Sequence, residues 1–101
     1  MSHSNFHSTT TFALNDPTRL VRRLCKHWAH KLITEYNETE GKVDFGDGKV
    51  ALFYPQEKSL TIKLTTPTES ELETIQSVID RHIERMIPED EKIDIQWQSS
   101  L

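Results

Sequence analysis

The spacing of apolar residues switches between two periods along the chain, and the switches divide it into elements. Residues 1–7 are polar and patternless apart from Phe6, so they read as a flexible tail. A threonine-rich strand is expected over residues 8–14, with Phe12 and Leu14 on one face. Asp16-Pro17 then reads as a helix start, because the aspartate oxygen can accept from a free backbone N–H and proline has none to lose. From Pro17 to about Lys31 the apolar positions Leu20, Val21, Leu24, Cys25, Trp28 and, just beyond, Leu32 recur at helical spacing and form one buried stripe.

From Ile33 the period falls to two, and four strands are expected over residues 33–37, 42–46, 49–54 and 59–65. Glu40-Gly41 and Asp47-Gly48 are turn dipeptides, the second favouring a tight type I′ hairpin, so these strands read as an antiparallel meander. Val43 and Phe45, then Val50, Leu52 and Tyr54, then Leu60, Ile62 and Leu64 are expected to line its inner face. Thr68 and Glu71 have capping-box spacing after Pro67 and open a second helix that runs to about Met86. Its stripe is Leu72, Ile75, Ile79, Ile83 and Met86, with Val78 at the margin, and Pro88 closes it. A last strand over residues 92–97 turns Ile93, Ile95 and Trp97 inward, and 99–101 is a short tail.

The order is therefore β-α-β-β-β-β-α-β, and residues 8–98 form one α+β domain. Two amphipathic helices can bury their stripes only on the apolar face of an antiparallel sheet, which gives two layers with both helices on one face. Trp28, Leu24, Ile75, Ile79, Phe45, Leu52, Ile62 and Ile95 are expected to share one core.

Composition narrows the function classes. The formal net charge of −4 opposes general nucleic-acid binding, which usually shows a basic balance. The longest apolar runs fall far short of the roughly 20 residues that span a bilayer, and the N-terminus has no charged and apolar leader pattern. The single Cys25 forms no internal disulfide, so a cytoplasmic protein, monomeric or homodimeric, is expected. No nucleotide-cradling glycine motif, nucleophile elbow, H-E-x-x-H or C-x-x-C occurs. Asp44 and Asp47 read as a strand carboxylate and a turn residue rather than as paired acids.

The densest chemical cluster is Leu24-Cys25-Lys26-His27-Trp28-Ala29-His30-Lys31. On a helix Cys25 and His27 lie about 160° apart and form no dyad, whereas His27 and His30 lie about 60° apart and could both face one ion. Cys25 falls in the apolar stripe and reads as a small buried hydrophobe. His82 lies on the apolar face of the second helix and could reach His27 or His30 across the helix pair. His27, His30 and His82 are therefore the candidate metal residues; helix-end cations and a satisfied core histidine are the structural alternatives. Charge is segregated as well: residues 17–34 carry Arg19, Arg22, Arg23, Lys26 and Lys31 and no acid, so the rest of the chain carries −9. Arg19, Arg23, Lys26 and His30 follow a line opposite the apolar stripe, and Arg19, Arg23, Lys26 and Lys31 are the candidate anion-binding residues.

The octapeptide at 24–31, the leading threonine-rich strand, the glycine-containing meander, Arg81-His82 followed by Glu84-Arg85, and Trp97 near the end resemble the bacterial family known as domain of unknown function 2218. Trp28, where phenylalanine is common in that family, and the polar N-terminal tail are departures. The resemblance implies no assigned activity. Members stand alone or are fused to siderophore-interacting flavoprotein reductases, which implies a link to iron. Two function classes follow. One is a binding module for iron, haem, a ferric chelate or another transition metal; the other is a non-catalytic module that docks an acidic protein, or a siderophore-interacting reductase, through the basic first helix. No nucleophile, base and orienting group can be assembled from local spacing, so an enzyme ranks third.

Overall fold

A computed structural model describes residues 5–100. Its elements are β1 (Phe6–Ala13), α1 (Pro17–Trp28), β2 (Ile33–Tyr36), β3 (Gly41–Gly46), β4 (Lys49–Pro55), β5 (Ser59–Thr66), α2 (Glu69–Met86) and β6 (Gln98–Ser100). This is the expected α+β order. The strands form one antiparallel sheet in the spatial order β2-β3-β4-β5-β1-β6. Helix α1 packs on β2, β3 and β4, and α2 on β5 and β1. The two helices thus divide one sheet face between them, over a single core that includes Phe12, Leu24, Trp28, Val43, Phe53, Ile62, Ile75 and Ile79. No helix among the described residues is long and apolar enough to cross a membrane.

The helix starts follow the sequence. Asp16 accepts from the Arg19 N–H at 3.3 Å, ahead of Pro17. Thr68 accepts from the Glu71 N–H at 3.1 Å, and Glu71 Oε2, one of the two oxygens that could complete the capping box, has no hydrogen-bond partner among the described residues. Helix α1 ends at Trp28 rather than near Lys31, because the chain turns there to enter β2. The Trp28 carbonyl accepts from the N–H groups of both Lys31 (3.0 Å) and Leu32 (2.7 Å), which closes a tight turn.

The inner face of β4 is the main correction. Ala51 and Phe53 are buried, while Val50, Leu52 and Tyr54 lie on the opposite sheet face and are half-exposed. The Asp47-Gly48 hairpin has positive φ at both residues (54° and 83°), as a type I′ turn requires. Next to it, however, Gly46 pairs with Lys49 while Asp44 pairs with Val50, so Phe45 is an extra residue on β3. This bulge moves the register by one, and a shift of one residue exchanges the two faces of the partner strand. Val43 consequently lies opposite Ala51 rather than Leu52. Asp44 holds the bulge by accepting from the Gly46 N–H at 2.8 Å, and Gly46 takes a φ of +90°.

The ends of the chain differ from expectation too. Ile93, Ile95 and Trp97 are half-buried and alternate with exposed Lys92, Asp94 and Gln96, but residues 92–97 pair with no strand among the described residues. Trp97 Nε1 instead donates to Asp80 of α2 at 2.9 Å. A period of two requires only extended backbone with one side against apolar surface, and here packing against the core supplies that surface without a ladder. The strand forms later, where Gln98, Ser99 and Ser100 pair with Thr9, Ser8 and His7. Ser99 and Ser100, expected as tail, are therefore in β6, and Phe6 and His7 are in β1. Residues 1–4 and 101 of the expected tails lie outside the described residues. Buried Ser8 links the layers: it accepts from Gln76 of α2 at 2.7 Å and donates to the Gln98 carbonyl at 3.3 Å.

Candidate functional site

Close approach of α1 to the sheet depends on Gly41. A β-carbon there would sit 2.6 Å from Val21 Cγ1 and 3.4 Å from Cys25 Sγ. The helix therefore rests on bare backbone, and Cys25 is fully buried beneath it. Burial pushes the Cys25 thiol up to about 11, against a smaller lowering from the Lys42 backbone. The thiolate that nucleophilic or metal chemistry needs is thereby disfavoured.

Helices α1 and α2 pair antiparallel. Arg23 Nη1 donates to the Met86 carbonyl at 3.0 Å, and one turn along α1 the His27 ring centroid lies 5.1 Å from that of His82, one turn back on α2. Two concavities open along this seam.

The first, about 470 Å³, is lined by His27, Trp28, His30, Lys31, Leu32 and His82, and its walls are mostly apolar. Trp28 forms its inner wall. The indole is buried, edge-on to Phe45 at 5.3 Å and inclined to Phe53 at 6.3 Å. The His82 ring lies 5.0 Å from Trp28, between the indole and His27. His82 Nδ1 is 2.7 Å from the Val78 carbonyl, which places a proton on Nδ1 and, in the neutral ring, the lone pair on Nε2. His30 and Lys31 lie in the turn after the helix, exposed at the same concavity. The fold thus gathers His27, His30 and His82 into one pocket. Among the described residues, no group of three or more His, Cys, Asp or Glu is arranged to hold a metal ion.

The second concavity, about 450 Å³, opens between the start of α1 and the end of α2. Arg19, Arg23 and Arg85 line it together with Asp16, Leu20, Met86, Ile87 and Glu91. The expected anion-binding residues are therefore divided: Arg19 and Arg23 face this groove, Lys31 belongs to the histidine pocket, and exposed Lys26 lines neither. His30 lies beyond the end of α1 and does not extend the arginine line.

Sequence reasoning missed Arg85 as a companion of Arg19 and Arg23, and Leu32 as a pocket wall. The position of Arg85 in the last turn of α2 was legible. That α2 would meet α1 antiparallel, bringing Arg85 beside Arg23, depends on the packing.

The bacterial family described as "Uncharacterized protein conserved in bacteria (DUF2218)" matches residues 9–98. A solved structure, "NMR structure of PA4090 from Pseudomonas aeruginosa", is similar at 34% identity and a TM-score of 0.79, over 92% of this chain and 95% of that one. No curated protein matches. The octapeptide, the two capped helices and the six-stranded sheet lie within the matched span or at its margin, and the chain belongs to the DUF2218 family of bacterial proteins.

Proposed function

We propose that this protein is a small binding module whose histidine pocket takes an iron-bearing ligand, the planar haem or a ferric chelate. The observation that carries this reading is the packing of His82 between Trp28 and His27, with one imidazole nitrogen fixed by Val78 and the other free. A bare ion needs several protein donors, and no group of three is arranged here among the described residues. A chelated iron brings most of its own donors and needs one imidazole. Mostly apolar walls suit the face of a planar ligand, and Lys31 and His30 at the rim suit its carboxylates.

The test is titration of the untagged protein with haemin, followed by absorption, for wild type, His82→Ala, His27→Ala and Lys31→Gln. His82→Ala is expected to weaken binding most, by about tenfold or more, and Lys31→Gln by severalfold. Zn²⁺ and Ni²⁺ are expected to bind weakly. Equal haemin affinity in all four proteins would refute the reading, and Zn²⁺ binding as tight as haemin binding would replace it with a bare-metal site.

A further inference from the structure

We infer that the groove between the start of α1 and the end of α2 is a second binding site, for a small multiply charged oxyanion held by Arg19, Arg23 and Arg85. This site lies about one helical turn from the histidine pocket along α1 and shares none of its lining residues.

Helix energetics account for part of this arginine set and leave the rest. Arg23 donates to the Met86 carbonyl, and Arg85 sits in the last turn of α2, so both meet the negative end of that helix favourably. Arg19 has no such explanation. It lies in the first turn of α1, where the helix end is already positive; the turn itself contains no acidic residue, and Asp16 at the N-cap supplies the carboxylate there. The groove therefore combines a positive helix end, a guanidinium on that same end and two further guanidiniums from one turn on and from the partner helix.

Two carboxylates share the groove with the three arginines, and each is held by a backbone N–H. Asp16 accepts from the Arg19 N–H at 3.3 Å, and Glu91 Oε2 accepts from the Asn15 N–H at 2.7 Å. The hydrogen-bond partner of Arg23 is a carbonyl at the end of α2 rather than a carboxylate.

Guanidinium forks match carboxylate and phosphate oxygens in pairs, and three arginines in one concavity favour an anion carrying more than one such group. Concavity distinguishes this set from an acidic protein docking across the basic helix: Arg22 and Lys26 are as exposed as Arg19 and Arg23 but line no part of the groove.

Citrate and inorganic pyrophosphate serve as the carboxylate and phosphate probes, titrated into the ¹⁵N-labelled full chain at constant ionic strength. Saturating amide shifts are expected around Asn15–Arg19 and Arg85–Glu91, and the tighter of the two probes identifies the anion class. Arg19→Gln and Arg85→Gln should each weaken binding about tenfold, Arg22→Gln and Lys26→Gln less than about twofold. Glu91→Gln keeps an acceptor for Asn15 while removing a negative charge, and should tighten binding severalfold. His82→Ala should leave it unchanged, which separates this site from the pocket proposed for iron ligands. The inference is overturned if neither anion saturates below about 10 mM, or if all four basic substitutions weaken binding alike. It is also overturned if polyglutamate binds tighter than both anions and depends equally on Arg22 and Lys26.

Discussion

Replacing Gly41 by alanine tests how α1 is seated. The new methyl would stand 2.6 Å from Val21 Cγ1, more than an ångström inside a normal carbon–carbon contact, and 3.4 Å from Cys25 Sγ. Val21 is 2% exposed and Cys25 fully buried, so neither has free space to move into. Overpacking of this kind costs about 1–3 kcal/mol. Gly41 lacks a positive φ, so alanine adopts its backbone freely and recovers about 0.4–1 kcal/mol through the unfolded chain. The net expected loss is about 1–2 kcal/mol, a fall in Tm of about 5–10 °C for a domain of this size. Val21→Ala removes the clashing methyl. Its own cost is about 1–3 kcal/mol for lost burial, but the double variant should be more stable than the sum of the singles by up to the overpacking cost, about 1–3 kcal/mol. The backbone contribution of Gly41→Ala is the same with either residue at 21 and cancels from that coupling. Urea unfolding followed by far-ultraviolet circular dichroism measures all four proteins. Additive singles and double would refute the close seating of α1 on β3.

Trp28→Ala should cost about 3–5 kcal/mol, because the buried indole contacts Phe45, Phe53 and His82, and a near-native Tm would remove it from the core. Asp80 titrates above the usual 3.8, chiefly through burial and secondarily because of Glu84, while the Trp97 hydrogen bond opposes the rise. A raised carboxylate holds its proton more tightly in the folded state, so its favourable contribution is full below pH 3.8 and is lost as pH rises through the folded value. Asp80→Asn, which keeps an acceptor for Trp97, should therefore melt at or above wild type at pH 7, with the difference closing as pH falls towards 3.8; a lower Tm for Asp80→Asn at pH 7 would contradict this.

The sequence by itself determined the element order, both helix starts and both helical stripes, because these depend on residues within a few positions of one another. Asp16 reaches the Arg19 N–H, Thr68 reaches the Glu71 N–H, and residues three or four apart share a helix face whatever lies opposite. It also determined which side chains were capable of chemistry, and it foresaw that His82 could meet His27. Tertiary structure decided what depends on partners distant in the chain. The bulge at Phe45 sent Ala51 and Phe53 inward and Leu52 outward; Asp44 two residues before Gly46 was its local trace, but only the pairing of β3 with β4 fixed the register. Packing against the core, rather than a neighbouring strand, used the alternation of Ile93, Ile95 and Trp97, since period two records a buried side without naming what buries it. The same limit divides the basic residues: a helical wheel places Arg19, Arg23 and Lys26 on one line. Only the antiparallel meeting of α1 with the end of α2 turned Arg19 and Arg23, joined by Arg85, into a groove and left Lys26 outside it.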